Sequence, residues 1–70
     1  MTDHAARIRY ALKSGPLSEH DIARYTGLTV DVVKSRLLRN GPGNMTEAFR
    51  WFARVGDGWG LTWRGREGLS

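Results

Sequence analysis

Glycine and proline interrupt the first part of this chain three times, and these breaks restrict how its helices can be arranged. The breaks are Gly15-Pro16, Gly27 and the Asn-Gly-Pro-Gly run at residues 40–43. Glycine accepts the left-handed conformation that follows a last helical turn, and proline cannot continue a helix. Between the breaks, apolar residues recur at the three- and four-residue spacing of a helix. The sequence therefore predicts three short helices, at about residues 3–14, 19–25 and 30–40.

Each predicted helix begins beside a residue that can cap it. Thr2 or Asp3 precedes the first helix, Ser18 the second and Thr29 the third. The side-chain oxygen of such a residue accepts a hydrogen bond from a free N–H group of the first turn. The caps and the breaks therefore agree on where the three helices begin and end.

The last third of the chain fits two different patterns. A helical period is formed by Met45, Ala48, Phe49 and Phe52. A strand pattern instead alternates apolar residues with arginines on both sides of Gly56-Asp57-Gly58, where the Asp-Gly pair favours a tight hairpin turn. The hairpin explains both halves of the segment, so we predict a hairpin over about residues 48–64 and a frayed tail at 65–70.

The predicted hairpin has two different faces, because successive side chains of a strand point in opposite directions. The expected inner face consists of Phe49, Trp51, Ala53, Val55, Trp59, Leu61 and Trp63. The expected outer face carries a row of guanidinium groups matched to phosphate oxygens, from Arg50, Arg54 and Arg64. Phe52 falls among these arginines, and we therefore expect it to be an exposed aromatic residue available to a partner.

Composition indicates one small domain that depends on dense packing. The 70 residues include no Cys, which excludes disulfides and thiolate metal sites. Three Trp, two Phe and two Tyr supply large side chains for a core. The chain starts with Met and has neither an apolar leader nor a run near the roughly 18 residues that span a bilayer. We therefore expect a complete cytoplasmic chain with no membrane partner, whose formal charge of +4 suits a polyanion.

The stretch from Glu19 to Leu38 carries a known pattern. Ile22-Ala23 supplies a close helix contact, Gly27-Leu28 a turn, and Val33 and Leu37 inward anchors. This pattern resembles the helix-turn-helix of winged-helix regulators, the group that includes MarR-like and ArsR-like repressors. The resemblance implies an α+β fold, a three-helix bundle with a helix-turn-helix and a C-terminal β-hairpin wing. The link from Gly41 to Thr46 is longer than is usual in that group.

The resemblance also implies how such a domain meets DNA, with the third helix in the major groove and the wing on the backbone or minor groove. If Val30, Val33 and Leu37 point inward, the opposite stripe of the third helix is Asp31, Ser35 and Arg39, with Val32 and Leu38 at its edges. The expected DNA-binding residues are Thr29, Asp31, Val32, Lys34, Ser35, Arg36 and Arg39 on the helix and Arg50, Arg54 and Arg64 on the wing.

These features predict a sequence-specific protein that binds double-stranded DNA and acts by occupying its site. Small transcriptional regulators and recombination accessory factors of phages and other mobile elements look similar, and such a protein would be nucleoid-associated. One domain of this size covers one half-site, so we expect a homodimer on sites about 34 Å apart or cooperative filling of adjacent sites. The alternative is a winged-helix protein interaction module whose apolar contact consists of Val32, Leu38 and Phe52.

The sequence offers no basis for catalysis or for a cofactor. His4 and His20 have acidic neighbours but lie on different elements without the spacing of metal ligands. No Ser, His and Asp set is placed as a nucleophile requires, and no glycine-rich loop follows a strand to hold a phosphate. We therefore expect neither an enzyme nor a metalloprotein.

Overall fold

The computed structural model describes residues 3–43 and 46–69 of the chain. Helices α1, α2 and α3 span His4–Ala11, Glu19–Thr26 and Val30–Arg39, and a 3-10 turn at Leu12–Ser14 extends α1. A second 3-10 turn at Glu47–Phe49 leads to strands β1, Phe52–Val55, and β2, Gly58–Leu61, followed by a short helix α4, Trp63–Arg66. The protein is thus an α+β domain in which an antiparallel hairpin follows three helices, a layout compatible with a winged helix.

Local signals place α2 and α3 within one residue of their predicted bounds, and α1 ends three residues before its predicted end, where the 3-10 turn continues it. Asp3, Ser18 and Thr29 cap α1, α2 and α3, each accepting a hydrogen bond from a backbone N–H of the first turn. Gly27 ends α2 in the left-handed conformation, with φ of 76°. The alternative cap Thr2 lies outside the described residues.

One apolar core joins the helices to the hairpin. Its fully buried or nearly buried members are Ile8, Leu12, Ile22, Ala23, Val33, Leu37, Phe52 and Trp59. The hairpin supplies the last two, which fill the space beneath the three helices. A small domain without disulfides gains most of its stability from such burial, about 1.5–3 kcal/mol for each large side chain.

β1 faces the core with the opposite set of residues from the one predicted, whereas Trp59 and Leu61 of β2 face it as predicted. Phe52 is fully buried, whereas Phe49 and Val55 are exposed, so the expectation of an outward Phe52 is wrong. Side chains alternate with a period of two, and a shift of one residue therefore exchanges the two faces of a strand. The chain turns at Gly56-Asp57, with φ of 58° at Gly56, so the central pair is Gly-Asp rather than the predicted Asp-Gly.

A backbone pair outside the hairpin fixes its position. Leu17, between α1 and α2, exchanges hydrogen bonds with Trp59 of β2, at N···O distances of 2.9 and 2.7 Å. β2 is therefore paired on both edges, with β1 and with Leu17. No local sequence pattern predicts this pair, because it joins residues far apart in the chain.

The end of the described chain is folded where a frayed tail was predicted. Trp63 and Arg64 belong to α4 and not to a strand, and Thr62 caps this helix by accepting a hydrogen bond from Gly65 N–H at 3.0 Å. The Arg9 side chain donates to the carbonyl oxygens of Gly65, at 2.8 Å, and of Glu67. The expectation of a frayed segment from residue 65 is therefore wrong for these residues.

In the described part of the chain, every helix is too short or too polar to cross a bilayer.

Candidate nucleic-acid interface

Helix α3 is held in place by the turn that precedes it. The Thr26 hydroxyl donates to the carbonyl of Ile22 at 2.7 Å and accepts the N–H of Leu28 at 3.3 Å. Val33 and Leu37 of α3 are fully buried against the other helices. The direction of α3 is therefore fixed at its N-terminus and along its inner side.

The outer side of α3 carries the residues that the helical period predicted for it. Asp31, Ser35 and Arg39 are exposed, and Val32 and Arg36 are half-buried at one edge. Lys34 is exposed, and Leu38 exposes 42% of its surface at the other edge. We call this set the α3 surface: Asp31, Val32, Lys34, Ser35, Arg36, Leu38 and Arg39. Thr29 lies at its beginning, where its hydroxyl accepts the N–H of Val32 at 3.2 Å.

The α3 surface carries a net positive charge that the described part of the protein does not neutralise. Lys34, Arg36 and Arg39 face a single acidic residue of the same helix, Asp31. None of the three cationic side chains makes a hydrogen bond, ion pair or ring contact with another described residue. They are therefore available to an external anion.

Two shallow depressions border the α3 surface. One is lined by His4, Asp31, Val32, Ser35 and Arg36. The other is lined by Ser35, Leu38, Arg39 and Gly43. His4 belongs to the first turn of α1 and was not among the predicted site residues, because its place beside α3 depends on how the two helices pack. It adds an imidazole to the edge that Val32 and Arg36 form.

The predicted row of wing arginines is not formed. Arg54 is the only one of the three within a strand, since Arg50 precedes β1 and Arg64 belongs to α4. The Arg64 guanidinium lies 5.2 Å from the Phe49 ring centroid and 3.8 Å from a Glu67 carboxylate oxygen. The Arg50 carbonyl accepts a hydrogen bond from the Thr62 hydroxyl. These three side chains therefore do not occupy alternate positions of one strand face.

Arg54 shares the inner face of the hairpin with Trp59, its cross-strand partner. Its guanidinium lies 5.1 Å from the Trp59 ring centroid, in the range of a cation–π contact, and it remains exposed to solvent. The outer face carries small uncharged residues, namely Ala53, Val55, Gly58 and Gly60. The turn itself holds an exposed acidic residue, Asp57. The hairpin is therefore much less basic than predicted.

The cations of α1 and of the 3-10 turn that extends it have structural partners. Arg7 donates to the carbonyl of Thr26 at 3.3 Å, close to the C-terminus of α2. Arg9 holds α4 and also lies 4.9 Å from the Trp51 ring centroid. The Lys13 ammonium lies 5.3 Å from the Tyr10 ring centroid. These contacts distinguish the cations of α1 from those of the α3 surface.

The described ranges 3–43 and 46–69 contain no candidate metal site, because no three His, Cys, Asp or Glu side chains come together there.

Comparisons with known proteins identify no relative of this chain. No family model, no curated protein and no solved structure matches the chain.

Proposed function

We propose that this protein binds duplex DNA in a sequence-specific manner, with α3 in the major groove, as a winged helix-turn-helix domain. The major groove is about 12 Å wide, which suits a helix whose diameter with side chains is about 10–12 Å. By occupying its site, the protein would act as a small transcriptional regulator or recombination accessory factor. Binding to a full site would involve a second copy, as a homodimer or by cooperative filling.

The observation that carries this proposal is the unpaired charge of the α3 surface. Lys34, Arg36 and Arg39 extend from a helix fixed by Gly27 and by two buried anchors, and they lack partners among the described residues. Long cationic side chains lose rotamer freedom on binding, but those that neutralise phosphates release counterions, which favours association. A rigid helix with free cations is suited to this exchange.

In this proposal, some residues of the α3 surface position the helix on the DNA backbone and others contact the bases. Lys34, Ser35 and Arg39 can donate to base edges or phosphates, and Val32 can contact a thymine methyl group. Asp31 can accept from the amino group of cytosine, and its negative charge would repel phosphate at its position. Thr29 already accepts the Val32 N–H and keeps its hydroxyl proton for a phosphate oxygen.

The hairpin would make fewer contacts with the DNA backbone than the sequence predicted. Arg54 is its one strand cation, and it would add a single backbone contact beside those of Lys34, Arg36 and Arg39. With about four phosphates neutralised, log affinity should fall with log salt with a slope of roughly −3 to −4.

The test is a titration of a labelled random-sequence duplex by fluorescence anisotropy at two salt concentrations. Lys34→Ala with Arg39→Ala should abolish most of the binding and lower the salt slope by about 2. Lys13→Ala is a matched control, because it removes an exposed cation that contacts Tyr10 on another part of the surface. Equal losses in the control would remove α3 from the mechanism.

Absence of salt-dependent duplex binding would instead favour the protein interaction module. Its contact surface would then consist of Val32 and Leu38 without Phe52, which is buried in the core.

A further inference from the structure

A second surface, formed at the end of the described chain, combines two exposed rings with two arginines. We call it the C-terminal aromatic surface; it consists of Phe49, Trp63, Arg64 and Arg66. We propose that this surface binds a single-stranded nucleic acid by stacking unpaired bases on Phe49 and Trp63. It shares no residue with the α3 surface, so it is a further binding site and does not depend on the duplex proposal.

Both rings are accessible to solvent. Trp63 exposes 71% of its surface and Phe49 exposes 54%. The other two tryptophans are used in packing, since Trp59 is buried and Trp51 is half-buried against the core. A chain that has no disulfides therefore leaves one of its largest apolar side chains in solvent, which points to an external partner for it.

The direction of Trp63 follows from how α4 is held. Gly65 is the buried residue of α4, and its Cα lies so close to the Trp51 carbonyl oxygen that no Cβ would fit. Trp63 is two residues earlier, about 200° around the helix, and it therefore points to the solvent side. Thr62 caps this helix and Arg9 binds the Gly65 carbonyl, so the orientation is fixed at both ends.

Arginines lie beside both rings. The Arg64 guanidinium stacks on Phe49 at 5.2 Å, and Arg64 directly follows Trp63 in the chain. Its contact with Glu67, at 3.8 Å, is a partly exposed pair within one helical turn, and such pairs contribute little. Arg66 is exposed, and its side chain has no partner among the described residues. Arg64 and Arg66 are thus available to phosphates while the rings accept bases.

A groove that shares Arg64 with this surface offers a further phosphate position. It is lined by Arg9, Trp51, Arg64 and Glu67. Arg9 donates to two carbonyl oxygens from Nε and one terminal nitrogen, which leaves further N–H groups of the guanidinium for an anion. A phosphate in this groove would lie between the guanidinium groups of Arg9 and Arg64, with the Glu67 carboxylate at its rim.

This chemistry favours an unpaired strand over other polyanions. The bases of a duplex are already stacked on one another, and only unpaired bases expose a face to an aromatic side chain. A membrane surface would require a longer amphipathic helix, and α4 has four residues. Stacking on rings with adjacent arginines is tolerant of sequence, so we expect oligothymidylate and oligouridylate to bind alike.

The experiment uses the full chain and a labelled oligothymidylate of about 15 nucleotides, a length within the range covered by one small domain. Trp63→Ala and Phe49→Ala should each weaken binding about 5- to 150-fold, while Trp63→Phe should keep most of it. Tyr25→Ala is the matched control, because Tyr25 exposes 65% of its surface beside a different groove, with Arg7, Tyr10 and Thr26. Thermal melts should be nearly unchanged for Trp63→Ala, since the ring is exposed.

The results separate this proposal from the duplex proposal. The Lys34→Ala, Arg39→Ala double variant should bind the oligonucleotide as the parent does, even where duplex binding is lost. Absence of oligonucleotide binding by the parent, parent-like binding by both ring variants, or an equal loss in Tyr25→Ala would each overturn the aromatic site. Binding to phosphatidylserine vesicles without binding to the oligonucleotide would overturn it as well.

Discussion

The indole N–H of Trp59 donates a hydrogen bond of 3.1 Å to a carboxylate oxygen of Glu19, and this contact joins the hairpin to the first turn of α2. The same indole carries Arg54 on its face, and the backbone of Trp59 pairs with Leu17. One residue therefore holds the hairpin to α2 and to the segment between α1 and α2, through its side chain and its backbone. Glu19 also lies in the first turn of α2, where a negative charge opposes the positive end of the helix dipole.

Glu19→Ala should lower the free energy of unfolding by about 1–3 kcal/mol, because it leaves the N–H of a buried indole without its partner. Glu19→Gln should lower it less, since the amide oxygen still accepts the hydrogen bond. Urea denaturation followed by far-UV circular dichroism measures both values. Equal losses in the two variants would mean that the charge, and not the hydrogen bond, is the source of the effect.

Phe52→Ala should lower the free energy of unfolding by about 3–5 kcal/mol, because it opens a cavity in the core. Phe49→Ala should lower it by less than about 1 kcal/mol, through loss of the contact with Arg64. Thermal and urea denaturation of the two variants together determine the register of the hairpin. The opposite order of stabilities would restore the register in which Phe52 points outward.

Gly27→Ala should destabilise the protein by about 1–2 kcal/mol, because alanine must adopt a left-handed conformation at this turn. A Cβ atom at Gly27 meets no other atom within 4 Å, so the cost is confined to the backbone. Gly27→Asn should therefore be milder, since asparagine tolerates this conformation better. A loss in Gly27→Asn larger than that in Gly27→Ala would show that side-chain crowding limits this position.

Arg54→Ala should lower the salt slope of duplex binding by about 1, whereas Arg64→Ala should leave it unchanged. The reason is that Arg54 is the only cation within the strands, while Arg64 lies in α4 against Phe49. Anisotropy titrations of the same duplex at several salt concentrations provide the slopes. If Arg64→Ala reduced the salt slope as much as Arg54→Ala does, the result would support the row of wing arginines that the sequence predicted.

The helices could be predicted because their signals are local. A cap such as Ser18 and a break such as Gly27 act within a few residues, and the spacing of Val33 and Leu37 defines the inner side of α3. The outer stripe of Asp31, Ser35 and Arg39 follows from the same spacing. Its availability to a ligand did not follow from the sequence, because it depends on which residues of other elements lie nearby.

The hairpin register could not be predicted because aromatic residues occupy both strand phases. Trp51 and Phe52 are consecutive, so either phase places a large ring on the inner face. The register across the turn, with Arg54 opposite Trp59, selects one phase for β1, and the position of β2 depends on its pairing with Leu17, far away in sequence. Arg9 and His4 acquire their positions in the same non-local way, from the packing of α1 against α4 and α3.

The hydrogen bonds from Arg9 to the carbonyl oxygens of Gly65 and Glu67 join residues that are 56 and 58 positions apart in the sequence. The first helix therefore cannot complete its packing until Glu67 has been synthesised. During translation the Arg9 guanidinium would lack both of these acceptors until then, and the Trp51 ring beside it would remain open to solvent on that side.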